Sequence, residues 1–138
     1  MVRPVLAIAI ALFLAGCLIG AHADDGADQI AGDWQQIESN AGACPKCRLS
    51  FQRRDSSLAV TANNGWLASV VMEQQTISAR ATGVGRWGSN ATRAYAGQPF
   101  NVEFTLKGQR LYMSMRVDLA DGSRRTIRAV YGRVWVGV

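Results

Sequence analysis

From Gly32 onward the chain is written in short runs whose apolar and polar positions alternate with a period of two, broken at close intervals by turn residues. Period two places successive side chains on opposite faces of a strand, so each run predicts a half-buried β-strand. Gly32–Ile37 opens the series. Cys47–Arg54 follows, with Leu49 and Phe51 set against Arg48, Ser50 and Gln52. Asp55-Ser56-Ser57 turns the chain into a strand over Leu58–Ala62. Asn63-Asn64-Gly65 is a hairpin turn, because Asn and Gly tolerate positive φ, and Trp66–Met72 returns from it. Ile77–Trp87 continues the pattern, with Gly83 and Gly85 predicting a bulge or sharp bend. Gly88–Pro99 is the longest irregular stretch.

The last third alternates most clearly. Phe100, Val102, Phe104 and Leu106 oppose Asn101, Glu103, Thr105 and Lys107. After Lys107-Gly108-Gln109, Leu111, Met113, Met115 and Val117 oppose Arg110, Tyr112, Ser114 and Arg116. After Ala120-Asp121-Gly122-Ser123, Ile127, Ala129, Tyr131, Arg133 and Trp135 alternate with Arg128, Val130, Gly132 and Val134. No window of helical period is long enough to compete. The expectation is an all-β fold: a single small antiparallel barrel of about eight strands in meander order, with a β-sandwich as the alternative. Closure is attractive because it leaves a short chain no unpaired edge.

The N-terminal 23 residues follow a different logic. A cationic start at Met1–Pro4 precedes an apolar run over Val5–Ile19, and Ala21-His22-Ala23 is a small-x-small site before Asp24-Asp25. That order predicts a secretory signal peptide over residues 1–23 cut after Ala23. Leu14-Ala15-Gly16-Cys17 also resembles the lipobox of bacterial lipoproteins, which makes Cys17 a candidate lipidation residue. The two exits imply, respectively, a periplasmic or secreted protein and one lipid-anchored to the bacterial envelope. Residues 24–31 are expected to form a flexible acidic tail, with room for one helical turn over Ala27–Gly32, and residues 32–138 the barrel domain.

Beyond residue 23, fourteen basic side chains face ten carboxylates. Such a balance permits weak attraction to anionic envelope surfaces, glycans or acidic proteins, and is too small and evenly spread to argue for nucleic acid. Arg53-Arg54 and Arg124-Arg125-x-x-Arg128 read as solvated strand faces. The only histidine, His22, falls inside the predicted signal. The usual general base and the Ser-His and Cys-His pairs are then missing. One CxxC supplies two of the about four ligands zinc takes, and no phosphate loop or nucleophile elbow is present. Glu73, Glu103, Asp118 and Asp121 could meet in space, but their spacing does not argue for it. The expectation is no enzyme, no cofactor and no metal site.

Two groups of residues carry the remaining chemistry. Cys44-Pro45-Lys46-Cys47 is expected to form a disulfide that pins the loop before the second strand. Thiol-disulfide exchange is the alternative, with Lys46 and Arg48 lowering a thiol pKa; redox CxxC pairs sit at helix N-termini, whereas strands flank this one. Trp66, Trp87, Tyr95 and Arg86 form the candidate ligand site. At a barrel mouth the rings could stack a sugar or an apolar ring while arginine holds an anionic group. Burial between strands explains the rings equally well. Met113 and Met115 read as core fillers, and Asn90-Ala91-Thr92 matches an N-glycosylation acceptor.

Gly32-Asp33-Trp34 beside the first strand resembles the G-x-W start of the calycins, the superfamily of lipocalins, avidins and bacterial metalloprotease inhibitors. The resemblance implies that Trp34 plugs the closed end of the barrel and that Arg133 packs over it. The bacterial inhibitors share the export signal, the length and a cysteine pair, although their pair closes a much longer loop. No avidin ligand position can be matched. Two functions follow as expectations: an exported, non-enzymatic envelope protein that binds another protein, such as a hydrolase it inhibits, or a carrier of a small apolar or glycan ligand. Bulky inward faces favour the first, since an eight-stranded barrel is only just wide enough for one ligand.

Overall fold

Strand twist and alternation curl the sheet until its first and last strands meet. A computed structural model describes residues 24–74 and 77–135; the predicted signal segment, with Cys17, His22 and the Ala23 cleavage site, lies outside the described residues. Helix α1 (Asp24–Ile30) precedes eight strands: β1 (Gly32–Ser39), β2 (Arg48–Arg54), β3 (Ser57–Ala62), β4 (Trp66–Met72), β5 (Arg80–Trp87), β6 (Pro99–Lys107), β7 (Arg110–Asp118) and β8 (Arg124–Arg133). Each pairs antiparallel with the next, and β8 pairs with β1, so the sheet is a closed meander barrel. Closure replaces the sandwich alternative.

The inward faces make one core. Leu49, Phe51, Leu58, Val60, Val70, Phe104, Leu111, Met115 and Val117 are all buried, with the Phe51 and Phe104 rings edge to face at 4.9 Å. These side chains form one contiguous core inside the barrel.

Three expectations change. The segment read as a flexible tail is helix α1, and it closes one end of the barrel: Ile30 is 0 % exposed and Ala27 is buried in the core. Burying one isoleucine contributes about 1.5–3 kcal/mol, a part of what offsets the cost of ordering so short a helix. The bulge predicted at Gly83 and Gly85 does not occur, since β4 and β5 pair without a register shift from Trp66↔Trp87 to Met72↔Ala81. Glycine is required there for another reason. A Cβ on Gly83 would lie 1.9 Å from the Ser69 carbonyl oxygen, and one on Gly85 2.3 Å from the Phe100 ring. The register shift falls in β1 instead, between Gln36 and Glu38 against β8. Finally, β5 begins at Arg80, not Ile77, and β8 ends at Arg133, leaving Trp135 exposed.

Candidate functional site at the open end

The closed end fixes which end is open. Gly32 takes φ 114°, a left-handed value that glycine adopts without a Cβ penalty, and so turns α1 into β1. Two residues on, the Trp34 indole enters the core and its Nε1 donates to the Ile30 carbonyl at 2.8 Å. Arg133, paired with Trp34 across the β1–β8 seam, lays its guanidinium 4.3 Å from the indole centroid. Its Nη1 donates to the Ala31 carbonyl at 2.8 Å and its Nη2 to the Gln29 carbonyl. One cation thereby satisfies two of the carbonyls exposed where α1 ends, as Trp34 does a third. Burial lowers the Arg133 pKa, yet a guanidinium titrates so high that it stays charged.

At the other end, strand order brings together the 40–47 loop, the 63–65 turn, the 88–98 loop and the 119–123 turn. Cys44 and Cys47 lie at disulfide-bonding distance, with Cα atoms 5.3 Å apart. Their loop is clamped from both sides. Gln35 Nε2 donates to the Pro45 and Cys47 carbonyls at 2.8 and 3.0 Å. From the neighbouring turn, Asn63 Nδ2 donates to the Lys46 carbonyl at 2.7 Å while its Oδ1 accepts from the Arg48 amide at 2.8 Å. Asn40 ties the start of the same loop to β8 by accepting from the Arg128 amide and donating to the Thr126 carbonyl. The 88–98 loop is anchored by the Gly88 amide on the Gly65 carbonyl at 2.7 Å.

The candidate aromatic residues are partly assembled here. Trp66 is buried, edge to face with Phe100 at 5.4 Å and with Trp87 at 6.4 Å. Trp87 in turn meets Tyr95 at 5.1 Å. Its indole Nε1 is shielded from solvent without a hydrogen-bond acceptor, which marks this ring as packed between strand and loop. Arg86 does not join the group. It alternates with Trp87 onto the outer wall and donates to the Gly97 carbonyl at 2.7 Å, holding the 88–98 loop.

Below these loops lies a cavity of about 230 Å³, lined by Trp66, Trp87, Met113, Ile127, Tyr131 and the Cys44–Cys47 pair, with Gln36 and Asn64 at its polar rim. Sequence reasoning omits Gln36 and Tyr131. Gln36 was findable, standing two residues beyond inward-facing Trp34. Tyr131 hides as one more apolar alternation, but among the described residues its hydroxyl has only the Met113 sulfur for a partner, at 4.0 Å. Burial pushes the phenol pKa above its ordinary value. Two of the four scattered carboxylates do meet: Glu73 and Glu103 both pair with Arg80, at 3.3 and 2.6 Å, on the outer wall. Comparison with protein-family models, with curated proteins and with solved structures finds no match for this chain.

Proposed function

We propose that this is an exported, non-enzymatic protein that acts by contact, using the rigid loops of its open end to grip a partner protein of the envelope such as a hydrolase. The observation that carries the reading is the size of the space between those loops. Small-molecule pockets run from about 300 Å³ upward, and about 230 Å³ of mostly apolar room fits one protruding side chain of a partner. Loops held by a cysteine pair and by Gln35, Asn40 and Asn63 lose little freedom on binding, which favours affinity. The Trp34–Arg133 stack under a plugged end supports a calycin-type barrel. Export, by cleavage after Ala23 or lipidation at Cys17, is part of the proposal.

The test is Ala129→Phe, which fills the cavity from β8 without altering a loop. Its overpacking costs about 1–3 kcal/mol, so the barrel persists. Loss of the envelope partner captured by the wild type is the expected result; undiminished capture would refute insertion. The second reading, a carrier of a small apolar ligand, is favoured by the same apolar lining. A discrete small-molecule adduct in native mass spectra of protein from its own envelope would support that reading instead.

A further inference from the structure

The outer wall of β5–β8 carries a furrow that the open end does not use. Cross-strand register sets its floor in two rows: Val84, Asn101, Arg116 and Thr126 in one, and Thr82, Glu103, Ser114 and Arg128 in the next. All eight line one depression of about 630 Å³. A second depression, of about 590 Å³, shares Glu103, Ser114 and Arg128 with it and runs on to Tyr112 and Lys107. The shift in β1 pairing beside Glu38 borders this second part.

The furrow is unevenly charged. Glu103 is engaged by Arg80 at 2.6 Å, a guanidinium it shares with Glu73. Arg116 and Arg128, diagonal neighbours on β7 and β8, have no carboxylate partner among the described residues. Diagonal pairs stand about 7–8 Å apart, close enough for two long guanidinium side chains to converge on one anion. Around them stand hydroxyl and amide groups from Thr82, Asn101, Ser114 and Thr126, with the Arg80-bound Glu103 opposite Ser114 and Glu38 in the second depression beside Arg128. At the far end the half-exposed Tyr112 ring has Lys107 Nζ 5.3 Å from its centroid.

We propose that this furrow binds an acidic glycan through its uronic acid residues. Guanidinium groups take a carboxylate in paired hydrogen bonds. Hydroxyl and amide side chains both donate and accept, which matches sugar hydroxyls and is wasted on a purely anionic polymer. The Tyr112 ring offers a flat apolar face to a pyranose. The site is on the barrel wall, so it is independent of whatever the open end grips.

The test is calorimetric titration of the full chain with a short oligogalacturonate, a neutral dextran fragment and a polyglutamate of equal charge. Oligogalacturonate is expected to bind at least tenfold more tightly than polyglutamate, with dextran weaker still. Arg116→Gln combined with Arg128→Gln reduces oligogalacturonate affinity at least tenfold. Arg54→Gln combined with Arg93→Gln, which removes two cations elsewhere, leaves it within about twofold. Unchanged circular dichroism in both variants establishes that each is folded. Equal affinity for polyglutamate, equal loss in the two double variants, or no binding of oligogalacturonate would each overturn the proposal.

Discussion

Arg133 does three things at once: it covers the Trp34 indole and caps α1 through the Ala31 and Gln29 carbonyls. Arg133→Gln should lower unfolding stability by about 1–3 kcal/mol, the range for a lost charged hydrogen bond. Arg133→Lys should recover little, because a point charge cannot stack and fork together. Urea denaturation of the two variants checks this, and a lysine variant as stable as wild type would contradict it. Tyr131 offers a pH-dependent counterpart. Its buried phenol has a raised pKa, so the unfolded chain loses that proton first. The stability this contributes is intact below about pH 10, the ordinary phenol value, and drains away as pH rises further. Tyr131→Phe should therefore resist alkaline unfolding above that pH while differing little at neutrality. Parallel melting curves of both proteins through the alkaline range measure the difference.

At the level of elements, the loops explain the open end and the helix explains the sealed one. The Cys44–Cys47 ring is small, so Cys44→Ser with Cys47→Ser should cost about 2 kcal/mol or less by loop entropy. Gln35 and Asn63 keep their hold on the loop without it. The barrel should stay folded, with faster amide exchange confined to residues 40–47. A collapse of the whole exchange pattern would show that the staple supports the fold itself. The strands were legible because each carries its own period-two record, and Asn63-Asn64-Gly65 announced its turn. Helix α1 was not legible: Asp24–Ile30 is short, acidic and interrupted by glycine, and what orders it is a contact with Trp34 and Arg133, the latter about a hundred residues away. Gly83 and Gly85 were legible as exceptions but not as to kind, since the close approach they permit involves Ser69 and Phe100 on neighbouring strands. Arg86 was misplaced for a simpler reason: adjacent strand residues face opposite ways, and Trp87 had already taken the inside.

For the molecule as a whole, closure divides the surface into regions of different character. One end is plugged by α1, the wall of β6–β8 is hydroxyl-rich and cationic, and the wall of β4 and β5 exposes Leu67, Val71 and Val84 with Arg86 beside Leu67. Among the described residues, the open end combines an apolar recess with loops tied down by hydrogen bonds. Site-specific photocrosslinking tests the claim that this end does the gripping. A photoreactive residue is placed at Ala43 or Asn64 beside the recess, and for comparison at Gly108 on the plugged end. The account predicts a discrete crosslinked envelope protein from the first two positions and none from the third; crosslinking from Gly108 alone, or equally from all three, would contradict it.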